Sequence, residues 1–404
     1  MEITMWKNIQ PAPPDSILGL TEQFKKDHNP AKVNLGVGVY KDNDGNTPIL
    51  GAVKKAEQML LASQTTKSYL PISGDPAYGK AVQNLIFGDN SDVLESARAV
   101  TVHAPGGTGA LKVGADLLKR FKPEAKVWVS SPTWANHNGI FGDAGFQIDT
   151  YSYYNPESKG LDFDKMLTDL GKVPSGDIVV LHTCCHNPSG VDLDQAGWDE
   201  VVRVAKQQGW IPFLDFAYQG FGAGVEEDRY AVEAFGASGI DYLVASSFSK
   251  NFGLYNERTG ALTVVCPSAE EAAVAMSHLK IVIRTNYSNP PAHGGQVATI
   301  ILDDPELYEQ WLTELAAMRD RIKDMRSGLV KGLAGCGVPG DFSFIERQRG
   351  MFSFSGLSDE VVQWLRAEKG IYMVGGGRIN LAGLTTGNID YVCQSIAEAM
   401  QSVS

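Results

Sequence analysis

The run Ser246-Ser247-Phe248-Ser249-Lys250-Asn251-Phe252-Gly253-Leu254-Tyr255-Asn256-Glu257-Arg258 decides how this chain is read. It sets one lysine among hydroxyl residues, with an arginine further along. The apolar stretch Asp241-Tyr242-Leu243-Val244-Ala245 precedes it and reads as a buried strand. The exit of that strand therefore carries an amine, two serine hydroxyls and a guanidinium. An amine can condense with an aldehyde, and hydroxyls with an arginine can hold a phosphate dianion. A loop lysine is ordinarily a solvated charge, so the reading depends on its neighbours.

Working outward, strands are expected at Val127–Ser130, Asp177–Thr183, Ile211–Phe216, Asp241–Ser246 and Gly260–Val265. Several are unbroken apolar runs, as expected where both faces of a parallel sheet are covered. Helices are expected at Gly109–Arg120 and Leu193–Gln208 between them. Earlier, Ser16–Phe24 has helical spacing, and Val33–Tyr40 reads as a short strand broken by Gly36 and Gly38. Asp304-Pro305-Glu306 is a helix start, and apolar residues then recur at three- and four-residue intervals to about Leu333. That helix is long enough to join two domains. Met351–Ser355 and Arg378–Leu381 read as strands mixed with helices.

Four constellations carry chemistry. Gly106-Gly107-Thr108-Gly109-Ala110 precedes an amphipathic helix, where backbone N–H groups and the helix dipole favour a phosphate. An ordinary glycine loop is the plainer reading of that segment. Asp215 ends an apolar strand, at the sheet edge where ligands bind. A helix cap is its plain reading; a cationic partner such as a protonated pyridine nitrogen is the functional one. His182-Thr183-Cys184-Cys185-His186-Asn187-Pro188 looks like a metal site. Alternation along a strand keeps His182, Cys184 and His186 from joining Cys185 around one tetrahedral ion, so no metal is expected. Arg284 and Arg378 lie in apolar or glycine-rich settings that suit guanidinium forks aimed at carboxylates, although surface salt bridges are the commoner fate of arginine. Lysine, phosphate ligands and a strand-end carboxylate together fit pyridoxal phosphate.

Composition narrows the class. The 404 residues are 43% hydrophobic and 20% charged, which fits a globular enzyme of two domains. The net charge of −12, with no basic block, argues against nucleic acid and anionic membrane as partners. No apolar run approaches the roughly 20 residues that span a bilayer. Five scattered cysteines without Cys-x-x-Cys fit reduced thiols and a cytoplasmic location.

With these segments in place, the chain resembles the aspartate aminotransferase family of fold-type I pyridoxal-phosphate enzymes. The resemblance runs from about Pro14 to the C-terminus. It rests on Ser247–Arg258, Cys184-Cys185-His186-Asn187-Pro188, Asp215–Gly220 and Tyr287-Ser288-Asn289-Pro290-Pro291-Ala292-His293-Gly294. It implies an α/β fold, with a mostly parallel seven-stranded sheet flanked by helices in a large domain, 48–317. A smaller α/β domain would come from both chain ends, 14–47 and 318–404, with an N-terminal arm, 1–13, at a homodimer contact. Lys250 would bond the cofactor and shuttle the proton. Asp215 would pair with the pyridine nitrogen, with His137 behind it. Tyr218 and Asn187 would bind the ring oxygen, and Trp134 would stack on the ring. Gly107, Thr108, Ser247, Ser249 and Arg258 would hold the phosphate, with Tyr69 reaching the neighbouring subunit's phosphate. Arg378, Asn187 and the Gly38 backbone would bind the α-carboxylate of an amino acid or 2-oxo acid. Arg284 would cross from the partner to the distal carboxylate.

The family has a dicarboxylate and an aromatic branch. Val39, Lys41, Thr47, Thr108 and Asn289 match the dicarboxylate pattern, and Ser68 matches neither. Tyr69-Leu70-Pro71-Ile72 and Phe221-Gly222-Ala223-Gly224 look more like the aromatic branch. Thr259 stands where valine is usual and is expected only to repack locally. The expected activity is ping-pong transfer of the amino group from aspartate to 2-oxoglutarate, with aromatic activity in addition. An aromatic amino acid aminotransferase is the alternative. A non-catalytic cofactor-binding regulator is a remote one, since no helix-turn-helix or basic patch precedes the family region.

Overall fold

Seven strands form the central sheet, in the spatial order Ala99–Pro105, Thr259–Val265, Tyr242–Ser247, Ile211–Phe216, Ile178–His182, Lys126–Ser131 and Gln147–Ser152. The computed structural model describes residues 9–12, 18–89 and 91–403. The expected arm, 1–13, therefore lies outside the described residues except for 9–12.

Thr259–Val265 runs antiparallel to both its neighbours, and the other pairings are parallel. This reversal has a consequence for the site. The parallel strands deliver their carboxyl ends to one edge, carrying His182, Asp215 and Ser247. The antiparallel strand delivers its beginning to the same edge, and with it Arg258.

Side chains alternate between two cores, as the period of a strand requires. Val179, Leu181, Leu214, Phe216, Tyr242 and Val244 face one core. Ile178, Val180, Phe213, Leu243 and Ala245 face the other, beneath the Gly106–Phe121 and Ala269–Asn286 helices. Residues buried on both faces explain why these strands read as unbroken apolar runs.

The Pro305–Gly335 helix has 31 residues, a length of about 46 Å. Asp304 caps it by accepting from the N–H groups of Glu306 and Leu307. Trp311 donates its indole N–H to the Asn251 carbonyl at 2.7 Å, tying the helix to the loop that follows Lys250. Its later turns bury Ile322, Met325 and Leu329.

One small ladder joins the two ends of the chain, and another lies within its C-terminal part. Val33–Asn34 pairs parallel with Ile371–Tyr372, and Phe352–Phe354 pairs antiparallel with Arg378–Asn380. The strand expected over Val33–Tyr40 is thus only two residues long. Asn34 Oδ1 accepts from Gly36 N at 3.0 Å and turns the backbone out of the ladder. The helix expected at Ser16–Phe24 is seen at Leu18–Lys26; residues 13–17 lie outside the described ones.

His103, buried in the Ala99–Pro105 strand, has no hydrogen-bond partner among the described residues on either ring nitrogen. Burial lowers its pKa to about 4. The unfolded chain binds a proton there near pH 6.5, which the folded chain refuses. His103 therefore stabilises nothing by titrating; it removes stability as pH falls from about 6.5 to 4, by roughly 3 kcal/mol. Buried His182, lowered to about 3, acts with the same sign. His103→Leu is expected to flatten the acid limb of denaturation midpoints measured across that window. An unchanged slope contradicts the assignment.

Candidate active site

A cavity of about 480 Å³ opens at the carboxyl edge of the sheet. Gly38, Gly107, Thr108, Trp134, Asn187, Asp215, Tyr218, Ser247, Ser249, Lys250, Arg258 and Arg378 all line it. Twelve of the fifteen residues given a role from the sequence thus converge on one space, the exceptions being His137, Tyr69 and Arg284.

Backbone builds the part of the cavity that can take an anion. The Gly106–Phe121 helix starts at Pro105 with no side-chain cap and no acidic residue in its first turn. Its free N–H groups and positive dipole end stay available to an anion. Gly106 has φ 71°, and a Cβ there would lie 2.5 Å from Arg258 Nη2. Glycine is therefore favoured by conformation, and a Cβ there would also displace the Arg258 guanidinium. Arg258 itself has φ 54°, a strained setting for a side-chain-bearing residue. Its Nη1 donates to Ser249 Oγ at 3.3 Å and to the Tyr255 carbonyl at 3.0 Å. Ser247 Oγ accepts from Ser249 N at 3.3 Å. Ser246, one residue back on the strand, points away: its hydroxyl is buried without a partner.

Asp215 is buried at the floor. Its Oδ2 accepts from His137 Nε2 at 2.9 Å, and His137 Nδ1 meets Thr133 Oγ1 at 2.8 Å. Asp215 does not cap a helix; it sits inside the Ile211–Phe216 strand. Burial pushes its carboxyl up, but the His137 hydrogen bond and charges that include Lys250 outweigh this, and its pKa lies below the ordinary value. Oδ1 accepts no side-chain hydrogen bond among the described residues and is left for a cationic donor.

Lys250 Nζ lies 4.6 Å from the centroid of the Tyr218 ring. Burial lowers its amine to about 8, against the pull of Asp215 and with the help of Arg258. Tyr218 is pushed well up by burial, although Arg378 opposes this. Arg378 is 4% exposed. It donates Nη1 to Asn187 Oδ1 at 3.2 Å and Nη2 to the Gly36 carbonyl, and its Cζ lies 4.4 Å from the Phe352 ring centroid. Trp134 packs edge-on against His137 at 5.3 Å.

Tyr69 and Arg284 are not among the residues that line this cavity. Tyr69 is 92% exposed, and Arg284 is exposed, donating to Ser288 Oγ. Of the branch-marking residues only Thr108 lines the cavity. Asn289 donates to the Leu70 carbonyl and Thr47 to the Tyr40 carbonyl.

The lining also includes Tyr255, His182 and Phe352, which carry no role in the sequence reading. Tyr255 lies inside the decisive run, and its hydroxyl accepts from Tyr40 N at 3.0 Å. Phe352 has no local signal: it is one apolar residue in a three-residue strand.

Among the described residues one trio has metal-ligand geometry, His137, His182 and Asp215. The cysteines take no part. Both His137 nitrogens already have partners, at Asp215 and Thr133. The five cysteines are free thiols.

A family model described as aminotransferase class I and II matches residues 30–396. An aspartate aminotransferase of Pseudomonas aeruginosa is 49% identical, covering 98% of this chain and 100% of the relative. An aromatic-amino-acid aminotransferase of Escherichia coli is 46% identical over 98% of this chain and all of its own. Among solved structures, an aromatic-amino-acid aminotransferase from Burkholderia pseudomallei covalently bound to pyridoxal phosphate superposes with a TM-score of 0.96, at 51% identity, covering 98% of this chain and 100% of the other. An aspartate aminotransferase from Saccharomyces cerevisiae cytoplasm gives 0.97 at 37% identity, covering 99% of each. The chain belongs to the class I and II aminotransferase family.

Proposed function

We propose that this chain is a pyridoxal-phosphate-dependent aminotransferase that moves the amino group of L-aspartate to 2-oxoglutarate, with aromatic amino acids as further donors. The observation that carries it is the convergence of Lys250, an open carboxylate oxygen on Asp215, the anion cradle and Arg378 in one cavity. These residues fit the cofactor. Gly107, Thr108, Ser247, Ser249 and Arg258 would hold its phosphate, Trp134 its ring face, Tyr218 and Asn187 its ring oxygen, and Asp215 its ring nitrogen. Bound there, it supplies an aldehyde for amines to condense with and a protonated ring that takes up electron density from the substrate Cα.

The chain's own groups do the rest. Lys250 Nζ, with its pKa brought down to about 8, is the base that takes and returns the Cα proton. Arg378 and Asn187 grip the α-carboxylate, beside the Gly38 backbone. His137 holds Asp215 as an anion.

A homodimer completes this reading. Tyr69 and Arg284 of the partner subunit would add the last phosphate contact and the grip on the distal carboxylate. Their exposure supports this, as do exposed Ile49, Leu61 and Ile281. We also propose the division into a large domain, 48–317, and a small one, 14–47 with 318–404, which the ladder between Val33–Asn34 and Ile371–Tyr372 supports. A cytoplasmic location fits the free thiols. Among the described residues no helix is long and apolar enough to cross a membrane.

An aromatic preference is the second reading. The Tyr69–Ile72 and Phe221–Gly224 segments favour it, as does the similarity to the Burkholderia pseudomallei enzyme. Steady-state kinetics with aspartate, phenylalanine and tyrosine against 2-oxoglutarate decides between them. Aspartate is expected to have the highest kcat/KM; a large aromatic preference replaces our reading. Arg284→Ala is expected to cost aspartate about 2–5 kcal/mol of transition-state binding and phenylalanine much less. Equal losses for both substrates contradict the distal-carboxylate role.

A further inference from the structure

Arg326 is 2% exposed on the long Pro305–Gly335 helix, and among the described residues no carboxylate lies within ion-pair distance of it. A buried guanidinium is costly unless its donors are used. Here they are spent on one loop. Nη1 donates to the Ile345 carbonyl at 3.1 Å and to Ser353 Oγ. Nη2 donates to the carbonyls of Gly350 at 2.7 Å and Phe352 at 2.8 Å. The loop turns its carbonyls inward, and Gly350, at φ 74°, packs where a Cβ would meet Cys185. Buried carbonyls need donors, and the planar fork of arginine serves four acceptors in a way no other side chain matches.

The loop ends on Phe352, whose ring lies under the Arg378 guanidinium. That ring is also boxed in on another side: a Cβ on Gly38 would stand 2.8 Å from its Cζ. The Phe352–Phe354 strand pairs directly with Arg378–Asn380. The same loop reaches the other carboxylate-binding residue, since Arg349 N donates to the Gly190 carbonyl at 2.6 Å, just past Asn187. Arg326 touches neither the cavity nor Arg378, yet it fixes the backbone that places both grips.

We infer that Arg326 is a positioning residue for substrate: through the loop at residues 345–353 and the Phe352 ring it holds Arg378 aimed at the α-carboxylate. The inference rests on the aminotransferase reading for the identity of the carboxylate. Every substrate of the reaction carries that group, so the effect is common to donor and acceptor. It concerns binding shared by ground and transition states, which sets KM rather than kcat.

The test uses the holoenzyme and three variants, Arg326→Lys, Phe352→Leu and the double. Lysine keeps the charge but cannot span four acceptors. Arg326→Lys is expected to raise KM for aspartate and for 2-oxoglutarate by about tenfold each, with kcat within about twofold. Calorimetric titration with succinate, which does not react, is expected to show the same loss of affinity. Phe352→Leu should behave alike, and the double variant should add little, because the two residues act in series. A purely structural Arg326 would lower the thermal midpoint and leave KM and succinate binding alone. That result in a folded Arg326→Lys overturns the inference, as do losses that multiply in the double. If Arg326→Lys does not fold, Ser353→Ala removes one acceptor only and should give a smaller shift of the same kind; unchanged KM and succinate affinity there also overturn it. Wild-type protein that binds succinate but transfers no amino group sinks the activity instead, while the succinate titrations still test Arg326.

Discussion

Lys250→Ala is expected to abolish amino transfer, lowering kcat by roughly 10⁴-fold or more, the upper range for losing a positioned acid–base group. Lys250 is the lysine that lines the cavity. Its Nζ sits over Tyr218, where it feels the charges of both the Asp215 carboxylate and the Arg258 guanidinium. Burial makes the neutral amine accessible above about pH 8 rather than near its ordinary value. A desolvated amine is a stability cost retained for function. The cofactor-free variant is therefore expected to unfold at a midpoint no lower than wild type. The proposed phosphate cradle of Gly107, Ser247 and Arg258 is expected to stay intact, because none of the three hydrogen-bonds to the amine. Retention of pyridoxal phosphate through dialysis, read by its visible absorbance, checks this. A Lys250→Ala protein that transaminates at a normal rate removes the basis of the site assignment. A collapsed midpoint shows instead that Lys250 supports the fold.

Much of the architecture is legible because the central strands are buried on both faces. Ile211–Leu214 and Tyr242–Ala245 read as unbroken apolar runs, and the strands that contain them are found within one residue of where they were expected. The two sheet edges were not legible. Ala99–Pro105 contains Thr101 and His103, and Gln147–Ser152 is half-exposed and polar, so neither has the signature of a buried strand. Strand direction was also hidden. Nothing in the apolar pattern of Thr259–Val265 says that it runs antiparallel, yet that reversal brings Arg258 to the Asp215 edge. Reactive groups were legible because amine, carboxylate and guanidinium announce chemistry by type. Phe352 and Arg326 were not. Their parts depend on packing between the Phe344–Phe354 region and the long helix, which no local spacing encodes.

Asp215→Asn is expected to have the next largest effect, because it changes a charge while keeping the shape. The carboxylate is buried, with Oδ2 held by His137 Nε2. Its other oxygen accepts no side-chain hydrogen bond among the described residues, and Asp215 lines the cavity. Asparagine can still accept from His137, but its amide group then presents N–H rather than O⁻ to the ring nitrogen. A nitrogen facing a donor accepts a hydrogen bond instead of holding a proton, and an unprotonated ring is a weaker electron sink. Removing one partner of a buried charge pair costs about 3–5 kcal/mol, or roughly 10²–10⁴-fold in kcat. KM should move little, because Arg378 and Asn187 are untouched. His137→Phe is expected to fall between wild type and Asp215→Asn: it leaves the charge but removes the hydrogen bond that offsets burial of the carboxylate. Such a variant should lose more activity at low pH, since the Asp215 pKa then rises toward the pH of assay. An Asp215→Asn enzyme with wild-type kcat places the electron sink elsewhere. A His137→Phe enzyme without the acid-side loss shows that His137 is not what keeps Asp215 ionised.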